Sequence, residues 1–452
     1  MKKYIAKEPE FYKSFFTLLL LMAFQQLIAF AVNLADNFML GRYSELAMAG
    51  ASLVNQLQFM LQSLVFGISN GAVILGSQYW GKREIDPMKK IIGVAVKLSL
   101  IVGIIFFVAG RFFPEKVLLL LTNDAAVIAE GAKYLRVLSY TYLIYAVSNA
   151  LVMSMRAAEI ATIGTVMSAL TLVINTCLNY VLIFGNFGAP RMGVVGAAAA
   201  TTVSRIVEFI VIMVFAFCID KKLRMRPHDL IRFDFTYFRD YIRVALPSIA
   251  ANGIWGAATT VQTAILGHLN ANIIAANAIA SVVFSVASVF SMSAAGASSV
   301  LIGKTIGEGK MDRIKPYTIT LQLLFILLGI LTGLLMFILR TVIVRFYNVE
   351  PETQRLAYTF LTILSISVVF SSYEYPAAGG IVAGGGDTKY PFLVDTLSMV
   401  LFTLPVSALS AFVLKWPPAV TFLLLKSDQF FKCIPNGIKC NRYKWVKKLT
   451  RD

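Results

Sequence analysis

The sequence predicts an all-α polytopic membrane protein with twelve transmembrane helices, arranged as two six-helix lobes related by a parallel repeat. Two observations carry this prediction. The 452 residues are 58% apolar and only 14% charged, whereas a soluble domain has about 25% charged residues. The chain also resembles itself at an offset of 226 residues, because residues 33–81 align without a gap to residues 259–307.

Twelve long apolar runs supply the predicted spans, and most of them reach the roughly 20 residues that cross a bilayer as a helix. They lie near residues 14–40, 46–76, 91–112, 133–155, 162–184, 193–219, 242–267, 272–302, 316–339, 355–383, 391–414 and 417–434. Lys426 and Asp428 interrupt the last run, which is therefore the weakest of the twelve.

The repeat fixes the relation between the two halves of the chain. Leu40 and Gly41 align with Leu266 and Gly267, and the Gly-bearing loop at 76–81 aligns with the loop at 302–307. Gly41 and Gly267 follow spans one and seven, six crossings apart. Both halves therefore enter the membrane in the same orientation, as in a parallel repeat.

The basic residues set the predicted orientation and the domain boundaries. With the N-terminus inside, most of the 41 Lys and Arg residues fall in inner segments, as the positive-inside rule expects. We predict a multi-pass protein of the cell membrane with both termini cytoplasmic. Its parts are an N-terminal lobe (1–219), a basic cytoplasmic linker (220–243), a C-terminal lobe (244–434) and a basic cytoplasmic tail (435–452).

The net charge of +17 fits this topology together with contact to anionic membrane lipid. Nucleic-acid binding would need the charge on a soluble module, and no segment between the apolar runs is long enough to form one. We therefore predict no nucleic-acid partner.

Asp36, near the outer end of the first run, is the first candidate functional residue. A carboxylate within a span costs several kcal/mol unless it faces the bundle interior or a partner. Gln26, Asn33 and Asn37 lie on the same helical face. This pattern predicts a proton or sodium site. The alternative is a carboxylate that caps the span near Gly41 and contacts water.

Spans five and six offer partners for that carboxylate. Thr171, Asn175 and Asn179 recur every four residues and form one polar stripe, and span six adds Thr201. Such residues also serve as hydrogen-bonding links between membrane helices, so this alternative stays open. The predicted cation-coupling set, with Asp36 as the candidate sodium ligand, is Asp36, Asn33, Asn175, Asn179 and Thr201.

Two further groups are candidates for binding substrate. Asn55, Gln58 and Gln62 share one face of span two, where neutral amides suit a broad, weakly polar substrate. Glu374 lies mid-span just before Pro376, and a proline within a membrane helix permits a kink. A carboxylate at a kink is a candidate for binding a cationic substrate, although a purely structural role fits both groups nearly as well.

Several motifs, taken in their order and spacing, resemble the multidrug and toxic compound extrusion (MATE) transporters over nearly the whole chain. They are NLADNFMLG at 33–41, SQYWG at 77–81, the Asn175 and Asn179 pair, GAAAATTVSR at 196–205, AGGGDTK at 383–389, WPP at 416–418 and LLKSD at 424–428.

The resemblance implies two lobes around a central cavity. It also implies export of organic cations or amphiphilic drugs in exchange for sodium or protons, with a small-molecule substrate and no cofactor. In such proteins the span-one Asp couples transport together with polar residues of spans five and six, which correspond here to Asp36, Asn175, Asn179 and Thr201. One departure is Leu21, which stands where the family often has proline, although Pro247 is present at the repeat position.

Two alternatives to drug export fit the sequence less well. A flippase for a lipid-linked precursor would need several cavity-facing Arg or Lys residues to hold phosphate. Apart from basic residues near span ends and in the interrupted last run, only Lys97 and Arg205 lie within spans. Arg205 is one turn from Glu208, with which it is predicted to pair. A membrane-embedded enzyme would need paired acids or clustered His, so we predict that the protein is not an enzyme. We also expect a monomer.

Overall fold

The structure, a computed structural model, describes residues 5–267, 269, 271–346 and 349–451. These residues form helices joined by short non-helical connections, and they contain no β-strand. The all-α prediction is therefore confirmed.

The helices follow the predicted spans. In the first half they are α1 (Pro9–Tyr43), α2 (Glu45–Gly81), α3 (Ile85–Phe112), the short α4 (Pro114–Leu119), α5 (Ala125–Met155), α6 (Thr162–Phe184), α7 (Val194–Val214) and the short α8 (Pro227–Ile231). In the second half they are α9 (Phe235–Gly267), α10 (Ala271–Gly307), α11 (Met311–Phe346), α12 (Pro351–Tyr375), α13 (Lys389–Thr396), α14 (Leu404–Ala408), α15 (Pro418–Leu425) and α16 (Asp428–Arg442). Wider π-helical turns continue α7, α12, α13 and α14, over Phe215–Ile219, Pro376–Val382, Leu397–Thr403 and Leu409–Val413.

The helix bounds reproduce the repeat. Helices α2 and α10 both have 37 residues, and their bounds differ by the same 226 positions as the sequence alignment. The starts of α3 and α11, and of α5 and α12, are also 226 positions apart. The repeat thus extends well beyond the segment in which the sequence reveals it.

Ten segments of the described chain are long and apolar enough to span a membrane, and each matches a predicted run. The two remaining runs behave differently. The seventh lies in α9, which has 33 residues but is not among these ten segments. The twelfth is divided at Lys426 and Ser427, between α15 and α16, where the sequence predicts an interruption.

The described chain forms two compact units. We call Phe24–Gly76 with Glu84–Ile249 the N unit, and Met1–Ala23, Ser77–Arg83 and Ala250–Asp452 the C unit. The chain passes between units after Ala23 in α1 and after Ile249 in α9. These two positions are again 226 residues apart, so the point at which the chain passes from one unit to the other is also repeated.

The N unit is held together by close helix packing around an apolar core. Val65 and Leu138 are fully buried there. The first turns of α9 pack against α2, where the hydroxyl of Tyr241 donates a hydrogen bond to the carbonyl of Ile68. A Cβ atom on Gly71 of α2 would lie 2.5 Å from that of Ala245. Glycine is therefore needed at this crossing, as is usual where membrane helices approach closely.

The C unit buries its own apolar core, in which the rings of Phe360 and Phe422 stack with centroids 4.0 Å apart. The chain after α16, residues 443–451, also folds into this unit. Trp445 is fully buried, and the backbone N–H of Lys447 donates to the carbonyl of Gly385 at 2.8 Å. The basic C-terminal segment is thus an integral part of the packed unit.

Candidate functional site

A chain of hydrogen bonds surrounds Asp36 in the N unit. Asp36 lies on α1 with 9% of its surface exposed, and its Oδ1 accepts a hydrogen bond from Nδ2 of Asn179 on α6. The same Nδ2 also donates to Oδ1 of Asn175, at 3.0 Å. Asn175 in turn donates to Oγ1 of Thr201 on α7, at 3.1 Å. We call these four residues the Asp36 cluster.

A neutral oxygen without a hydrogen-bond partner lies at this cluster. The side-chain carbonyl oxygen of Asn179 is buried and accepts no hydrogen bond from the described residues. Buried polar atoms normally have a hydrogen-bond partner. A carboxylate beside an unpartnered amide oxygen offers oxygen donors to a hard monovalent cation, and the carboxylate alone suffices for a proton.

The polar stripe on α6 arises from its helical spacing. Thr171, Asn175 and Asn179 are all buried, which the four-residue recurrence predicts. Thr171 is at the other end of the stripe from the cluster and donates to Oε2 of Glu208 at 3.4 Å. Glu208 forms the predicted ion pair with Arg205, at 2.6 Å.

One member of the predicted coupling set lies apart from the cluster. Asn33 is exposed, and its amide donates to the carbonyl of Ala29 in its own helix, at 3.2 Å. The structure adds instead Tyr134 of α5, which is almost fully buried and lies next to Thr201. Sequence reasoning missed Tyr134, because a tyrosine in an apolar helix carries no sign of the helix it will contact.

The amides of α2 have a different environment. Asn55, Gln58 and Gln62 are half-buried, and no hydrogen bond joins their side chains to another part of the described chain. None of their polar side-chain atoms is buried without a partner, so these atoms remain accessible. Accessible amides on one helical face are compatible with lining a polar path.

Glu374 lies in a cluster of charges in the C unit. It is 5% exposed, and its Oε1 is 3.3 Å from Nζ of Lys432 on α16. Lys432 also pairs with Asp395 and with Asp428, each at 3.0 Å. Asn436 donates to Oε2 of Glu374 at 3.4 Å. One ammonium group therefore faces three carboxylates.

Sequence reasoning identified Glu374 but missed its partner. By its position in the sequence, Lys432 lies at the end of the twelfth run, next to the basic tail at 435–452, where Lys and Arg are expected on the inner side. The sequence pattern that could have revealed a buried ion pair is the position of Lys432 one turn after Asp428, because this spacing favours an ion pair on a helix.

The fold and the sequence both match known proteins. A MatE family profile matches residues 22–181 and 247–409. The chain is similar to the probable multidrug resistance protein YoeA of Bacillus subtilis, with 26% identity over 80% of this chain and 78% of that protein. It is similar to the probable multidrug resistance protein NorM of Thermotoga maritima, with 24% identity over 100% and 97% of the two chains.

Solved structures support the same fold. A mutant of the Vibrio cholerae MATE transporter VcmN superposes with a TM-score of 0.87 at 16% identity, covering 97% of this chain and 98% of that one. A MOP superfamily transporter from Pyrococcus furiosus superposes with a TM-score of 0.86 at 16% identity, covering 96% of each chain. These similarities confirm the predicted twelve-helix fold. The chain therefore belongs to the MatE family of multidrug and toxic compound extrusion transporters.

Proposed function

We propose that this transporter is a secondary active antiporter that exports organic cations or amphiphilic drugs in exchange for sodium or protons. The observation that carries the proposal is the Asp36 cluster, in which a buried carboxylate accepts a hydrogen bond from a neutral amide and has no ion-pair partner among the described residues. The relatives in Bacillus subtilis and Thermotoga maritima, named as probable multidrug resistance proteins, support drug export.

The coupling of ion binding to transport follows from the free-energy cost of leaving Asp36 ionised without a bound cation. An ionised Asp36 without a bound cation is a net charge inside the membrane, which is unfavourable by several kcal/mol. A proton on the carboxylate, or sodium shared with the vacant oxygen of Asn179, removes that charge. Occupancy therefore biases the equilibrium between access states, because a ligand shifts an equilibrium by its difference in affinity for the two states.

Reconstitution in liposomes tests the proposal. Efflux of a cationic dye is measured with only a sodium gradient and then with only a pH gradient, and the gradient that drives efflux identifies the coupling ion. Asp36→Asn should abolish gradient-driven efflux and leave folding intact, because an asparagine still offers an oxygen to Asn179. Glu45→Gln, at an exposed carboxylate, is the matched control and should transport normally. Full efflux by Asp36→Asn would refute the coupling role.

We further propose that Glu374, Asn55, Gln58 and Gln62 contact the substrate. Glu374 and its two neighbouring carboxylates outnumber the single ammonium of Lys432, so this part of the C unit keeps an excess of negative charge that favours a cation. Glu374→Gln should weaken export of cationic dyes about tenfold, or about 1.4 kcal/mol, relative to neutral dyes of similar shape. Equal losses for both dye classes would instead indicate damage at the Pro376 turn.

The proposed topology places both termini in the cytoplasm, and we propose that the monomer is the transporting species. Single-cysteine variants at exposed sites in the linker 220–243 should resist a membrane-impermeant thiol reagent in intact cells and react after lysis. Labelling of the linker in intact cells would show that it lies outside the cell, and the proposed orientation would then be wrong.

A further inference from the structure

The Asp36 cluster is not duplicated in the second half of the chain, although the helices that carry it are. At the offset of 226 residues, Asp36 corresponds to Gln262, Asn175 to Leu401 and Asn179 to Pro405. The C unit therefore lacks the carboxylate and both amides at the equivalent positions. The same helices therefore carry different side chains in the two units, and the position around Gln262 in the C unit suits a different ligand from the position around Asp36.

A lysine lies at the equivalent position in the C unit. Gln262 is buried, and its Oε1 accepts a hydrogen bond from Nζ of Lys426 at 3.4 Å. Its Nε2 donates to the sulfur of Met399, also at 3.4 Å. The Nζ atom of Lys426 lies 5.4 Å from the ring centre of Phe284 and 6.0 Å from that of Phe422. The charge at this position is thus opposite to that of Asp36.

Lys426 has no carboxylate at ion-pair distance among the residues that the structure describes. Asp428, two positions later, is directed to Lys432 instead, at 3.0 Å. An ammonium group has three N–H donors, and Lys426 uses one of them in a single long hydrogen bond. Ionisable residues inside membrane proteins usually pair with an opposite charge or mark a substrate path. Lys426 is half-buried, so its remaining donors can reach a ligand.

The backbone supports the same interpretation. Lys426 follows the last residue of α15, and α16 begins at Asp428. The final span is therefore discontinuous, with Lys426 in the break. In transporters, breaks within membrane helices are where substrates and ions are characteristically bound.

We propose that Lys426, Gln262 and Phe284 form a binding site in the C unit for an oxyanion carried on an apolar or aromatic body. The ammonium group pairs with the oxyanion, and the half-buried ring of Phe284 contacts the apolar body. Two sources share this chemistry, namely the carboxylate of an exported amphiphile and the phosphate of a membrane phospholipid. The first source rests on the export function proposed above.

A matched pair of dyes tests the carboxylate source. Rhodamine 110 carries a free carboxylate, and rhodamine 123 is its methyl ester. Binding is measured by fluorescence anisotropy in detergent micelles without phospholipid and without any gradient. Lys426→Gln should weaken binding of rhodamine 110 about tenfold, or about 1.4 kcal/mol, and leave rhodamine 123 within about twofold. Lys426→Arg should retain the preference, and the exposed Lys389→Gln should change neither affinity.

A lipid measurement tests the other source. The wild type and Lys426→Gln are purified from membranes containing phosphatidylglycerol, and the bound lipid is quantified by mass spectrometry. Loss of bound phosphatidylglycerol in the variant, with unchanged dye affinities, would identify a phospholipid phosphate as the ligand. Because equilibrium binding needs no ion gradient, failure of gradient-driven export would leave both measurements valid.

Two results would overturn the inference. If Lys426→Gln weakened both dyes equally, Lys426 would serve only to maintain the break between α15 and α16. If the variant kept the dye preference and the bound lipid of the wild type, no oxyanion would bind at Lys426.

Discussion

Removing the ammonium group of Lys432 should strongly destabilise the C unit. Lys432 is 7% exposed and lies 3.0–3.3 Å from the carboxylates of Glu374, Asp395 and Asp428. Lys432→Met keeps much of the length of the side chain and leaves these acids without a counter-ion. Removing one partner of a buried ion pair costs about 3–5 kcal/mol.

The assay is thermal unfolding in detergent, followed by tryptophan fluorescence at a fixed heating rate, because irreversible unfolding makes the midpoint depend on that rate. Lys432→Met should unfold well below the wild type. The double variant Lys432→Met with Glu374→Leu should recover part of the loss, because it removes a buried charge that has lost its partner. A Lys432→Met protein as stable as the wild type would refute the reasoning, since it would mean that the three acids are not charged together.

Two more predictions concern the segment around residue 387. Burial raises the pKa of Asp387, but hydrogen bonds and charge attraction from Lys439 and Lys447 outweigh it, so its pKa lies below the usual value. The ionised form therefore stabilises the fold, and the stability advantage of the wild type over Asp387→Asn should be present above about pH 4 and disappear on further acidification. Measuring both midpoints between pH 3 and pH 8 checks this, and a difference that grew in acid would contradict it. Gly385→Ala should lower the midpoint because its Cβ would overlap the ring of Trp445, and adding Trp445→Ala should relieve that clash without restoring wild-type stability.

Features with a local period in the sequence could be predicted well. The stripe of Thr171, Asn175 and Asn179 is buried as predicted because helical spacing alone places the three on one face. The same rule put Asn33 on the face of Asp36, yet its amide bonds to its own helix. Helical spacing predicts which residues share a face of a helix. It does not predict which atoms of a neighbouring helix each side chain will contact.

Contacts between distant segments could not be predicted in this way. The pairing of Glu374 with Lys432 joins α12 to α16, and sequence spacing carries no information on that approach. Composition predicts the opposite environment for Lys432, because a lysine near a basic C-terminus is normally interpreted as part of a solvated tail. The packing of residues 443–451 through the buried Trp445 was missed for the same reason.

The two halves of the repeat share their helix positions but differ in the charged residues that those helices carry. The starts of α1, α2, α3 and α5 keep the 226-residue offset to their counterparts in the second half, and so do the points where α1 and α9 pass between the N and C units. These features depend on apolar patterning and on turn residues that packing fixes. The charged positions do not keep it, since a carboxylate at Asp36 corresponds to an amide at Gln262 beside an ammonium group. One charge per span is costly but tolerable when it is paired or bound, so substitutions at a few positions change the charge of a site without changing the helices that form it. Equivalent positions in the two units are therefore better treated as separate sites, each to be tested with a ligand of its own charge.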